Sequence, residues 1–338
     1  MELAARTAAL LQQHWWRQPR SALSWSLEPL AQLYGLLAAA HRQGVQRRKG
    51  PVPMLVVGNI VVGGAGKTPT VIALVQALLA AGHRPAVLSR GYGRAGTQLH
   101  AVSPTDDAAT AGDEPLLIQR RTGVPVWVGS NRVAVARALC QQHPQVDVLV
   151  SDDGLQHHAL ARDAEVLVFD ERGVGNAALL PAGPLREPLP KALSTQQLVL
   201  YTHGQASTPL SGALALRHLG EAWPLAAWQQ GDVSQCVPLS ALQGRRLLAV
   251  AGLAAPEKFF GMLRGQGLHI QPMPLPDHHP YKRLPWPAGT PEVITTEKDA
   301  VKLQPGRVGS TAVWVVPLDL QLPAGFVGEL TALLFPAP

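Results

Sequence analysis

The chain has 338 residues, 46% of them hydrophobic and only 5% aromatic, with a formal net charge of +6 and two cysteines. That length suits two domains with real cores, and the low cysteine content excludes a disulfide-stapled scaffold. Residues 1–50 carry +5 of the +6, so the remainder is nearly neutral. That argues against a nucleic-acid partner, which a basic patch on the folded domain would attract, and favours an anionic membrane surface.

Cys140 and Cys236 are isolated, without CxxC spacing, which fits a reducing setting and leaves a disulfide between them open. No run approaches the roughly 18 apolar residues of a spanning helix, so no transmembrane span is expected. At the N-terminus, Leu3, Thr7, Leu10, Leu11, His14 and Trp15 share one helical face. Beyond Pro19, Leu23, Leu27, Leu30, Tyr34 and Leu37 repeat at helical spacing. Trp15, Trp16 and Trp25 lie near this stripe, with Arg17 and Arg20 between them. Such an end either packs on a core or lies in the headgroup layer, where an indole satisfies both ring and N–H.

From Pro51 the pattern is α/β. A strand over 54–57 enters a Gly-rich loop, and a helix over 69–81 leaves it and stops at Gly82. A second strand over 85–88 runs into S-R-G-Y-G-R at 89–94, and residues 95–111 read as a loop. G-D-E-P at 112–115 opens a helix to Arg121. A strand over 124–128 follows, then a helix carrying Arg132 with Ser130 as its N-cap. Strands over 146–150 and 165–169 end in S-D-D-G-L-Q-H at 151–157 and in Asp170. After the rigid L-P-A-G-P-L-R-E-P at 180–188, a strand over 198–201 closes a first domain. Residues 213–219 and 223–228 read as two extended runs around Gly220, a connecting hairpin. A second α/β unit has strands over 246–251, near His269, over 293–295 and over 312–316, and a final helix over 325–334. The expected divisions are 1–49 amphipathic and membrane-associating, 50–210 core, 211–230 linker hairpin and 231–338 C-terminal α/β domain. Strands alternating with helices predict a mainly parallel sheet with helices on both faces, and ligands outside the carboxyl ends of its strands.

The chemistry starts at Val61, Val62, Gly63, Gly64, Ala65, Gly66, Lys67 and Thr68. A strand–loop–helix of this composition turns backbone N–H groups toward phosphates. Lys67 would reach the β/γ-phosphates of a nucleoside triphosphate, and the Thr68 hydroxyl would ligate Mg²⁺. Val61 occupies the position where the P-loop pattern has its first glycine. Asp152 and Asp153 follow an apolar strand and suit a metal-binding role, or form a turn. Asp113 and Glu114 supply a base, or cap a helix. His278 and His279 are adjacent, so only one is expected to face a site.

Together, V-G-G-A-G-K-T-P, S-R-G-Y-G-R, G-D-E-P, S-D-D-G-L-Q-H, P-A-G-P-L-R-E, D-H-H-P-Y and T-T-E-K-D-A-V-K-L resemble one family in its order, the tetraacyldisaccharide 4′-kinases of lipid A biosynthesis. The resemblance implies a P-loop kinase, peripheral on the cytoplasmic face of the inner membrane. It would use MgATP to phosphorylate the 4′-hydroxyl of lipid A disaccharide 1-phosphate, giving lipid IVA. It makes Asp113 the base with His278 as its partner, and Lys67 the phosphate ligand. Glu114, Asp152 and Asp153 join Thr68 around the metal, with their roles undivided. Arg90, Tyr92, Arg132, Gln156, His157 and Arg186 become candidates for phosphate or substrate contacts. The alternative is a membrane-associated P-loop ATPase switch of the partitioning type, whose loop carries a lysine where this chain has Val62. A GTPase fails on spacing, because in T-E-K-D Lys298 adjoins Asp299 directly.

Overall fold

The computed structural model describes residues 11–336. Its strands are β1 (Met54–Gly58), β2 (Pro85–Ser89), β3 (His100–Ala101), β4 (Val126–Val128), β5 (Val148–Asp152), β6 (Ala164–Phe169), β7 (Gln197–Tyr201) and β8 (Ala213–Leu214). There follow β9 (Leu216–Leu219), β10 (Trp223–Pro224), β11 (Leu247–Ala251), β12 (Ile270–Pro274), β13 (Glu292–Thr296), β14 (Ala312–Val316) and β15 (Leu318–Gln321). Contacts gather the chain into two compact units that interleave along the sequence: residues 1–70, 146–216 and 322–338, and residues 71–145 and 217–321. The consecutive blocks expected above divide the chain differently.

In the first unit the strands run β5-β1-β6-β7-β8, all parallel. β1 and β5 are buried at every position, the continuous apolar reading of strands covered on both faces. β5 extends to Asp152, so Ser151 and Asp152 belong to the strand rather than following it. The register sets Val57 of β1 beside Asp152.

The N-terminal region belongs to this unit. Residues 11–15 are helical, followed by helices Ala22–Ser26 and Glu28–Gly44. The part of the first amphipathic face before residue 11, with Leu3, Thr7 and Leu10, lies outside the described residues. Packing on a core, one of the two expectations for this end, is met on one side of the helix Glu28–Gly44. Ala31 is buried against Ala178 and Ala182, with Leu27 and Leu179 packed around them. Leu30, Leu33, Leu36 and Leu37 stay exposed on the other side of the same helix, Leu36 at 70%. Four large leucines in water on one helix are an apolar face without a protein partner among the described residues. No helix of the described residues is long and apolar enough to cross a membrane.

In the second unit β2 and β4 are parallel, and β3 adds antiparallel to β4. A five-stranded sheet runs β10-β14-β13-β11-β12, parallel except for β10. Its core gathers Ala249, Ala251 and Ile294 from the strands with Phe260 and Leu263 from the helix Pro256–Gly265.

Several local readings need correction. The stretch 95–111 is not all loop: it holds β3 and a one-turn helix, Ala108–Ala111, capped by Asp107. Asn131, not Ser130, caps the helix Arg132–Gln142, because its side chain accepts from the Ala134 N–H while the Ser130 hydroxyl donates to the Thr97 carbonyl. The hairpin around Gly220 does not form. β8 joins β7, β9 pairs with β15, and β10 pairs with β14. Leu225–Gln230 is helical, with Gly231 at φ 71° ending it. Cys140 and Cys236 are free thiols.

Candidate active site

The loop after β1 is built from its backbone. Gly63 and Gly66 have φ of 99° and 84°, a conformation side chains resist, and each turns the chain so that N–H groups can face an anion. A second stretch, 184–186, holds the loop: the Val62 N–H donates to the Pro184 carbonyl at 2.8 Å and the Arg186 N–H to that of Ile60 at 2.7 Å. The helix Lys67–Ala80 begins at the lysine itself. Lys67 Nζ donates to Asn59 Oδ1 at 3.0 Å and lies 3.3 Å from Asp153 Oδ1. Asn59 Nδ2 in turn donates to the Gly63 carbonyl at 3.4 Å, which ties the lysine tip to that end of the loop.

Asp153 has φ of 47°, a left-handed backbone that costs a non-glycine residue roughly 1–3 kcal/mol and is found where a site demands a direction. Arg186 Nη1 reaches it at 3.5 Å and donates to Gln156 Oε1 at 3.1 Å. Gln156 donates onward to Glu187 at 3.0 Å. Thr68 and Asp152 are buried in the same unit. A threonine hydroxyl and two carboxylates are hard oxygen donors, so Thr68, Asp152 and Asp153 fit Mg²⁺ in chemistry. Among the described residues no three His, Cys, Asp or Glu side chains are gathered as for a tighter metal site. His157 contributes its carbonyl, which accepts from Arg162 at 3.1 Å.

The second cluster belongs to the other unit. Asp113 is the first residue of the helix Asp113–Thr122 and is 5% exposed. Gly112, at φ 91°, leads into it, and a Cβ there would meet Gly91 and Tyr92 backbone at about the limit of contact. His278 stands in a left-handed turn at φ 56° with Nδ1 2.8 Å from Asp113 Oδ2. Facing a carboxylate, Nδ1 carries the proton and donates it. Tyr92 packs its ring 5.2 Å from that of His278. The histidine ambiguity is resolved: His279 turns away and meets Tyr281 edge-on at 4.8 Å.

Two lysines surround the pair. Lys298 Nζ is 3.0 Å from Glu114, 3.3 Å from Asp277 and 3.3 Å from His278 Nε2. Lys302 Nζ lies 3.7 Å from Asp113 and 3.3 Å from Asp299. Burial alone would push the Asp113 carboxyl up. The His278 hydrogen bond and the charges of Lys298, His278 and Lys302 outweigh it and hold Asp113 below the ordinary carboxylate value. The same hydrogen bond raises the His278 imidazole, against burial and the Lys298 charge. Burial opposes the Lys298 charge too, but Glu114, Asp113 and Asp277 raise its pKa.

Of the residues expected from sequence, Lys67, Asp153, Gln156 and Arg186 form one connected group, and Asp113, His278, Tyr92 and Glu114 another. Glu114, expected beside the metal, has its carboxylate on Lys298. Arg90 is exposed at the end of β2, and Arg132 is buried at the start of its helix. Sequence reasoning missed Asn59, Arg172, Lys298 and Lys302. The i,i+4 spacing of Lys298 and Lys302 after a Thr296 N-cap was the available signal for the last two.

The first unit thus carries a phosphate loop and the second a buried carboxylate–imidazole pair. Residues 23–334 match the model of a family described as tetraacyldisaccharide-1-P 4′-kinase. The chain belongs to that family. Among its relatives, a protein of Leptothrix cholodnii named tetraacyldisaccharide 4′-kinase is 51% identical, over 98% of this chain and 97% of its own. One of the same name from Methylibium petroleiphilum is 49% identical, over 97% and 94%. The fold matches a crystal structure of the family member from Aquifex aeolicus in complex with ATP, with a TM-score of 0.74 and 27% identity, covering 93% of this chain and all of that one. The α/β kinase architecture expected from the motifs is thereby established.

Proposed function

We propose that this protein is an ATP-dependent kinase that phosphorylates the 4′-hydroxyl of lipid A disaccharide 1-phosphate to give lipid IVA, a step of lipid A biosynthesis. The observation that carries this reading beyond family membership is the 2.8 Å contact between buried Asp113 and His278, beside the ammonium groups of Lys298 and Lys302. Phosphoryl transfer demands little covalent chemistry of a protein. Positioning, charge neutralisation and a place for the acceptor proton suffice.

Loop N–H groups and Lys67 bind the β/γ-phosphates. Thr68, Asp152 and Asp153 would hold Mg²⁺, which when bound neutralises charge on the phosphate oxygens. Asp113 accepts the proton of the 4′-hydroxyl, and His278, hydrogen-bonded through Nδ1, fixes the direction of its carboxylate and spreads the charge. A low carboxylate pKa suits a loose transition state, in which the acceptor proton leaves late. Arg186 and Gln156, bonded to each other, are suited to a phosphate or sugar oxygen.

The exposed leucines of helix Glu28–Gly44 favour peripheral contact with anionic inner-membrane lipid on the cytoplasmic face. Arg17, Arg47, Arg48 and Lys49 flank that helix in sequence, and a helix seated on lipid would bring the enzyme to a headgroup whose acyl chains stay in the bilayer. The decisive assay offers detergent-dispersed disaccharide 1-phosphate and MgATP to the purified protein and looks for a 4′-phosphorylated product. Turnover on another hydroxyl substrate, with none on this one, would overturn the reading.

A further inference from the structure

Arg172 lies outside every motif that suggests the kinase, yet its side chain ends at the phosphate loop. Its Nη2 donates to the Gly64 carbonyl at 2.7 Å. Its Nε donates to both oxygens of Asp170, at 2.9 and 3.2 Å, and Nη2 lies 2.8 Å from Asp170 Oδ2. Asp170 is buried and follows β6, so the carboxylate that aims the guanidinium is itself rigid. One face of the guanidinium is covered by the Trp16 ring, 4.5 Å from its carbon. Nη1 has no hydrogen-bond partner among the described residues, and a Cβ on Gly63 would lie 3.7 Å from it. Three fixed contacts therefore point one free pair of N–H donors at the loop.

The end of the loop they reach is defined by Lys67. Its ammonium bonds Asn59, and Asn59 bonds the Gly63 carbonyl, so Gly63 marks the β/γ end. Resting on the nucleotide site proposed above, we propose that Arg172 is a further catalytic residue. Through Nη1 it donates to the γ-phosphate of the bound nucleotide, a second cation beside Lys67 supplied by the chain itself. Asp170 and Trp16 are positioning residues that hold the guanidinium plane. A guanidinium suits the task because it cannot lose its proton and keeps its fork planar while the phosphoryl group moves. No bond is made or broken at Arg172; it meets charge that grows on the transferring group.

The test compares nucleotides that differ by that phosphate. Dissociation constants for MgATP and MgADP are measured without lipid on wild type, Arg172→Gln, Arg172→Lys and Trp16→Leu. A hydrogen bond to a charged group implies a loss of about tenfold or more in ATP affinity for Arg172→Gln. ADP affinity should stay within about threefold if the contact is to the γ-phosphate alone. Arg172→Lys should recover part of the loss, and Trp16→Leu should lose part of the ATP preference. Equal weakening of ATP and ADP would show that Arg172 only props up the loop, and no change in either would also overturn the assignment. Turnover of lipid by the wild type is scored separately, so failure of the substrate reading leaves this comparison intact.

Discussion

At the phosphate loop, the Lys67 ammonium is held by an amide oxygen at 3.0 Å and a carboxylate at 3.3 Å, on a loop tied down largely through its backbone. Around Asp113, charge is held by a lattice of side chains. At one end of the helix Asp113–Thr122, Lys302 meets Asp113 and Lys298 meets Glu114. At the other, Arg121 bonds Glu297 at 2.6 Å and Asp319 at 2.5 Å, and Trp228 donates to Glu297 at 2.9 Å. Asp113, Glu114 and Glu297 each sit in the first turn of a helix and Arg121 in a last turn, where the helix dipole favours them. The loop is built to conform to a ligand. The lattice is built to keep one carboxylate still.

That contrast can be broken most directly at Asp113. Replacing it with alanine should lower turnover by about 10²–10⁴-fold, the usual share of a positioned base, while ATP binding is retained. Steady-state kinetics beside nucleotide titration decide it, and unchanged turnover would remove Asp113 from the base role. Next in size is Arg121→Met, which strands Glu297 at 4% exposure with its charge unmatched. Loss of one partner of a buried pair costs about 3–5 kcal/mol, read as a lower denaturant midpoint. A shift below about 1 kcal/mol would mean that the lattice is not what holds this unit.

A smaller effect separates the two members of the dyad by pH. The folded pKa of His278 is raised, so its contribution to stability is fully present below about 6.5 and is lost as pH rises through the folded value. The folded pKa of Asp113 is lowered, so its contribution is present above about 3.9 and is lost as pH falls through the folded value. Melting curves of wild type and His278→Gln should therefore differ most at mildly acidic pH, between about 4 and 6.5, and converge in alkali. A constant gap would show that the imidazole is not charged by its partner. Smallest of all in stability should be Leu33→Gln with Leu37→Gln, within about 0.5 kcal/mol each because both side chains are exposed. The same pair should release the protein from anionic liposomes on sedimentation, and unaltered pelleting would count against the leucine face as the lipid contact.

What could be read from sequence followed the reach of the interaction. The phosphate loop was legible because residues 59–68 make it almost alone, with composition dictated by backbone geometry. Asp113 and His278 are 165 residues apart, and only the ordered motifs brought them together. Lys298 and Lys302 stand within the T-T-E-K-D-A-V-K-L motif, but nothing local tells a lysine that neighbours a buried carboxylate from one that faces water. Glu297 had no apolar periodicity to mark its burial, since Trp228 and Arg121 come from elsewhere in the chain. Arg172 was invisible for the same reason, its target lying 108 residues earlier. The N-terminal stripe was read correctly as apolar, but which side would meet protein depended on Ala31 fitting against Ala178 and Ala182.

The stretch 170–186 is sewn to two things at once. On one side Trp15 donates to the Pro181 carbonyl, Gln18 to that of Gly175 and Ser24 to that of Ala182. On the other, Pro184 and Arg186 carry backbone bonds to Val62 and Ile60, and Arg172 holds Gly64. The N-terminal segment is therefore part of the enzyme's frame and not a tether on a leash. A pull on its leucines would reach the nucleotide loop through a handful of short hydrogen bonds. Trimming the segment to make a more tractable protein would slacken the nucleotide loop.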